Sequence, residues 1–191
     1  GRLEPGRGVP VLKRLKLTPG KLLAGWLAIQ FSPFVFASET IYQSPDDFLD
    51  EYLPGCERQV LWLKKEVQTE IESLIDRPFQ GIRARYCRSG GKTAWILDEI
   101  GKTEPITSGI IINDGRAERV RVLVFRETRG WEVHRSAFTR QYEQAALNGK
   151  NQLDRTIDGI TGATLSVYAL NRQVKLALYL DGIARENSSD D

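Results

Sequence analysis

Between Asp154 and Val174 the chain reads DRTIDGITGATLSVYALNRQV, and three hydroxyl side chains, Thr161, Thr164 and Ser166, lie close together in it. Small, turn-prone residues, Asp158 to Ala163, run directly into an amphipathic helical pattern. The start of a helix offers unpaired backbone N–H groups and the positive end of the helix dipole, which together favour a phosphate. Gly162 and Ala163 carry little or no side chain, so a bulky group could lie against the backbone beside them. Residue types and spacing therefore suit a phosphate held at Thr164. The competing reading is local: Thr164 or Ser166 caps the helix and contributes about 1 kcal/mol.

Other candidate chemistry is thinner. SGGKT, Ser89–Thr93, looks like the end of a phosphate-binding loop, but Tyr86 stands where that motif needs its first glycine. A strand pattern follows it instead of a helix, so it reads as a Gly-Gly hairpin turn. Asp98 with Glu99, and Glu127 with Glu132, have the residue types of general acids or bases. They sit at strand ends with no partner base, and they read as solvated charges. Cys56 and Cys87 form no CxxC pair, which argues against a zinc ribbon or a dithiol redox site, and their pairing in a disulfide is open. A single histidine, His134, argues against histidine-based zinc or triad chemistry.

The elements that must position these residues follow from periodicity. Ser44 caps a short helix, Pro45 to Leu53. Val60, Leu63, Val67, Ile71, Leu74 and Ile75 fall at helical spacing, so a longer helix is expected from about Glu57 to Ile75. GIRARYCR, TAWILDEI, PITSGIIIND and ERVRVLVFRE then read as four strands, with NDGRAE as a hairpin turn between the last two. GWEVH reads as a short fifth piece, and SAFTRQYEQAAL as a helix capped by Ser136. A polar loop leads to a final helix, about Leu165 to Ile183, with Leu170, Val174, Ala177, Leu178 and Leu180 on its apolar stripe. Helices, an antiparallel meander, then helices make an α+β domain with helices packed on the sheet. The tail ENSSDD reads as disordered.

The chain has 191 residues, 27 Lys/Arg and 25 Asp/Glu. Residues 1–21 are basic, and the uncharged run Leu22–Ala37 follows, ending in the small-residue pattern Val35, Ala37. This reads as a signal segment with cleavage after Ala37, or as a membrane anchor if retained. Six of the 27 Lys/Arg and one of the 25 Asp/Glu lie in residues 1–37, so cleavage leaves 21 against 24. The basic balance then vanishes, and with no clustered basic patch nothing points to nucleic acid. The expected organisation is a signal or anchor over 1–37, a helical region with a first strand over 38–90, the functional domain over 91–184, and a tail over 185–191.

DGITGAT, Asp158–Thr164, resembles the flavinylation motif of the FMN-binding domain family: Asp, two variable residues, Ser or Thr, Gly, Ala, then Thr or Ser. That family includes the FMN-carrying subunits of the sodium-translocating NADH:quinone reductase and of the Rnf electron-transport complex. RETRGWEV, Arg126–Val133, is similar to the family's Glu-Thr-x-Gly loop, although Arg129 and Trp131 stand where those two subunits carry Pro and Leu. The similarity runs roughly from Trp95 to Leu180. It implies FMN joined through its phosphate to the Thr164 hydroxyl by a flavin transferase that uses FAD and Mg²⁺. Asp158, Thr161, Gly162 and Ala163 would then be recognition positions, and Glu127, Thr128 and Gly130 would line the flavin. Trp131 would pack on it or sit in the core. Lys102 and Thr103 read as a surface turn, with reach to the phosphate or ring as the alternative. The resemblance further implies an electron-transfer role, exported to the periplasm or outer face of the cytoplasmic membrane, with a membrane-bound electron donor or acceptor. Non-covalent FMN binding and a cofactor-free interaction domain are the alternatives.

Overall fold

The computed structural model describes residues 39–189, so the basic segment, the apolar run and the cleavage site after Ala37 lie outside the described residues. The elements are β1 (Thr40–Ile41), α1 (Pro45–Tyr52), β2 (Glu57–Trp62), α2 (Lys65–Ile75), β3 (Arg83–Ser89), β4 (Lys92–Ile100), β5 (Pro105–Asn113), β6 (Arg116–Phe125), α3 (Ser136–Thr139) and α4 (Thr164–Ser189). Single 3₁₀ turns cover Trp131–His134 and Arg140–Tyr142. The strands form one six-stranded antiparallel sheet in the order β1-β6-β5-β4-β3-β2. The α+β reading holds, and the sheet continues through the β3–β4 hairpin, where the sequence placed a regional boundary at residue 90.

Strand alternation sorts the two faces. Trp95, Ile110 and Ile112 pack with Leu170, Val174, Ala177 and Leu178 of α4 and with Ile71 and Leu74 of α2. Ala94, Ile111 and Leu123 point the other way, onto Phe48 and Leu53 of the α1 region. The Phe48 ring lies where a side chain on Gly109 would be, at 2.6 Å from its Cβ position, so α1 depends on that glycine. Among the described residues no helix is long and apolar enough to cross a membrane.

Four local expectations change. The helix expected from Glu57 begins at Lys65; Glu57–Trp62 is a strand paired with β3. Its true period is two: Leu61 and Leu63 are buried, while Val60 and Trp62 face outward. The helical spacing of Val60 and Leu63 was a coincidence of that alternation. GWEVH is a 3₁₀ turn, because Gly130 enters it at φ +89° and turns the chain away from the sheet. The helix expected from Ser136 lasts four residues before tightening to 3₁₀, with Arg135 at its N-cap position. Finally, α4 runs to Ser189, so most of the tail expected to be disordered is helical. Arg88 holds that last turn, donating to the Ser188 hydroxyl at 2.6 Å and the Ala184 carbonyl at 3.0 Å.

Polar pins fix α4 to the sheet. Buried Gln173 donates to the carbonyls of Leu97 and Ile106 and accepts from the Ser108 hydroxyl at 2.7 Å, next to a β-bulge in β5–β6 pairing. Fully buried Asp181 accepts from Thr93 at 2.6 Å and pairs with Arg185 at 2.8 Å. Cys56 and Cys87 are bonded, tying the residue before β2 to β3 across 31 positions. Opening that bridge frees a loop of this length in the unfolded chain. Reduction should lower unfolding free energy by about 2–4 kcal/mol in urea titrations, and superimposable oxidised and reduced curves would refute the contribution.

Candidate functional site

β6 ends at Phe125 and delivers Arg126–Gly130 to the end of the sheet where α4 begins. The two segments meet at one point. A Cβ on Gly130 would lie 2.3 Å from the Ser166 hydroxyl oxygen, 3.2 Å from Ser166 Cβ and 3.4 Å from Ala163 Cβ. A side chain at Gly130 would displace the Ser166 hydroxyl from this approach, and the φ of +89° favours glycine independently. The Glu-Thr-x-Gly loop and the hydroxyl-rich motif, 28 positions apart between Gly130 and Asp158, are therefore one site.

The motif itself alternates between inward and outward residues. The stretch before the helix is pinned where Arg155 donates to the carbonyls of Glu143 and Gln144, at 2.6 and 2.9 Å. Asp158 N–H donates to Gln141 Oε1 at 2.7 Å, and the Asp158 side chain is exposed. Thr161 and Gly162 are exposed. Gly162 has φ +82° with open space around its Cβ position, so its need for glycine comes from backbone conformation. Ala163 N–H closes a turn on the Ile160 carbonyl, and Val167 N–H returns to the Ala163 carbonyl, the first bond of the helix. Ala163 is thus the N-cap residue, buried against Gly130, and it has no side-chain oxygen to offer. Neither hydroxyl acts as the N-cap. Ser166 is buried under Gly130, and Thr164 is the first helical residue, exposed, its hydroxyl without a hydrogen bond among the described residues.

The loop side of the site is held from below. Buried Glu127 accepts the backbone N–H groups of Lys102, Thr103 (2.6 Å) and Glu104 (2.9 Å), and the Thr103 hydroxyl at 3.3 Å. Gly101 allows this, since a Cβ there would sit 2.9 Å from Glu127 Oε1. GKTEP is thus a turn whose amides grip a carboxylate, a role its sequence did not announce; Gly101, facing that carboxylate, was the available signal. Burial opposes ionisation of Glu127, but the backbone hydrogen bonds from Glu104, Thr103 and Lys102 outweigh it and hold the carboxyl below its usual 4.5. Thr128 is exposed at the loop tip, and Trp131, next to Gly130, is 43% exposed, so its indole is a surface feature and not a core one.

Asp98 and Glu99 are accounted for structurally. Glu99 pairs with Arg77 and Arg172 at 2.6 and 2.9 Å, and Asp98 accepts from Thr107. No group of residues suited to a metal ion occurs among the described residues. Because the Glu127 carboxyl is depressed in the folded state, its stabilisation is complete above about pH 4.5 and is lost as pH falls through the folded value. Glu127→Gln should cost about 1–2 kcal/mol at pH 7, the difference between charged and neutral acceptors, and should flatten acid destabilisation in denaturant titrations below pH 4.5. An unchanged acid limb in the variant would contradict this grip.

Comparison with known proteins falls on the same segment. Among curated proteins and solved structures none matches the chain. Residues 101–179 match the model of the FMN-binding domain family. The match opens at Gly101, against the gripped Glu127, and extends past both halves of the site into α4. Residues 101–179 thus carry an FMN-binding domain.

Proposed function

We propose that this protein is an exported electron-transfer flavoprotein whose FMN is joined through its phosphate to the Thr164 hydroxyl. The observation that carries this reading is the start of α4. Its N-cap position is filled by a buried alanine, and the next residue presents a free, exposed hydroxyl. The first-turn N–H groups of a helix have no intrahelical partners, and the dipole there favours an anion. A phosphoester on Thr164 would place its negative charge at that end. The open space beside Gly162 leaves room for the rest of the group. Attachment by transfer from FAD forms one bond, threonine oxygen to phosphorus, and breaks the pyrophosphate bond, with AMP leaving and the hydroxyl proton lost to a base.

Each motif position then has a distinct task. Asp158, Thr161 and Gly162 are exposed and present the segment to a flavin transferase. Ala163 and Gly130 keep the helix start seated against the loop. Glu127 fixes the root of that loop, while Thr128, Gly130 and Trp131 border the flavin. When bound, FMN supplies one- and two-electron redox chemistry, and the protein holds and presents it. The donor and acceptor are membrane-bound partners. The Cys56–Cys87 bond suits an oxidising compartment and supports export.

Production with a flavin transferase, followed by denaturing electrophoresis under ultraviolet light, tests this reading. A fluorescent band is expected for the wild type and for Ser166→Ala, and none for Thr164→Val. Yellow protein whose colour is released on denaturation would replace the covalent reading with a non-covalent one. Colourless wild-type protein would contradict attachment altogether.

A further inference from the structure

The N-terminal edge of the described fold is tied to the loop that borders the flavin. Glu39 pairs with Arg126 at 2.9 Å, one residue before gripped Glu127. Thr40 and Ile41 pair with Phe125 and Val124, and Tyr42 N–H donates to the Leu123 carbonyl at 2.8 Å. The Tyr42 ring then stacks on His134, with centroids 4.1 Å apart and planes within 4°. His134 in turn meets Trp131, at 5.6 Å between rings, and its Nδ1 lies 2.6 Å from the Trp131 carbonyl oxygen. The Arg135 guanidinium lies over the indole at 4.7 Å from its centroid.

These contacts form one continuous series from the first strand to the indole beside Gly130. Tyr42, at 38% exposure, and Trp131, at 43%, are not there to fill a core. A two-residue edge strand contributes little burial, so the strap's distinctive product is the fixed position of the 3₁₀ turn Trp131–His134. We infer that Glu39–Tyr42 is a positioning strap: Tyr42, through His134, holds Trp131 as a platform against which the flavin ring rests. Trp131 follows Gly130 and Thr164 follows Ala163 in the chain, and the Ala163 Cβ lies 3.4 Å from where a Cβ on Gly130 would be. A flavin tethered at Thr164 would start near the Trp131–His134 turn. This inference rests on the flavin being carried at Thr164. Tyr42 and His134 are positioning residues that need not touch the cofactor.

The test uses the full chain loaded with flavin by a flavin transferase. Flavin fluorescence anisotropy and iodide quenching are compared for the wild type, Tyr42→Ala, Tyr42→Phe and His134→Asn, with covalent flavin content and melting temperature measured on the same samples. Loss of one aromatic stack should change the population of the seated platform by roughly three- to tenfold. Tyr42→Ala and His134→Asn should therefore show lower anisotropy and faster quenching at wild-type flavin content, and Tyr42→Phe, which keeps the ring, should match the wild type. If Tyr42→Ala does not fold, His134→Asn against the wild type carries the same comparison. Loaded variants with unchanged anisotropy and quenching would overturn the strap while leaving the flavin reading intact, as would Tyr42→Phe behaving like Tyr42→Ala. A wild-type protein without bound flavin would overturn both and is recognised before any variant is compared.

Discussion

The meeting of Gly130 with Ala163 and Ser166 is the contact on which the site depends. It brings together a loop leaving β6 and the first turn of α4, and a side chain on Gly130 would push the Ser166 hydroxyl aside. The rest of the fold makes that meeting reproducible. Gln173 and Asp181 pin α4 to β4 and β5, and the amides of Lys102, Thr103 and Glu104 fix Glu127 at the loop's root. Both partners in the contact are thus anchored through polar groups placed in or beside the hydrophobic core. Such anchors are directional, whereas apolar packing alone would let a helix slide or rotate.

Once the helix start is seated, the hydroxyls separate by burial. Ser166 is committed to packing beneath Gly130, and Thr161 precedes the helix. Thr164 is left at the first helical position, exposed and unbonded. Placing alanine at the N-cap leaves the end of a 26-residue helix without the side-chain oxygen that normally satisfies it. A phosphate on the adjacent threonine would supply oxygen acceptors and charge of the right sign there. The same feature that weakens the helix end without cofactor thereby favours the proposed product.

Much of the fold was legible because its signals are local. Ser44 caps α1 through Asp47 N–H as its type and place suggested, and Asp114-Gly115 supplies the positive φ angles of the β5–β6 hairpin. The apolar stripe of α4 was read correctly from Leu170 to Leu180. Readings failed where a tertiary partner chose between two acceptable patterns. Glu57–Trp62 fits either a helix or a strand by spacing, and pairing with β3 selects the strand. The last turn of α4 is polar, and its order comes from Arg88, about a hundred positions away in the sequence. At the site, the types and spacing in Asp158–Thr164 marked the segment, but nothing local distinguishes Thr164 from Ser166 as the free hydroxyl. That distinction needs Gly130, which the sequence placed in a separate motif. The grip on Glu127 was nearly hidden for a related reason: backbone N–H donors leave no trace in their own residue identities, and only Gly101 marks the place.

Peptide mass spectrometry can locate a flavin on Thr164 residue by residue. Trypsin cleavage after Arg155 and Arg172 isolates Thr156–Arg172, which holds the motif and its hydroxyls. After maturation with a flavin transferase, this peptide should gain the mass of FMN less one water, with fragmentation placing the group on Thr164. An unmodified peptide alongside released flavin, or a group placed on Thr161 or Ser166, would contradict it.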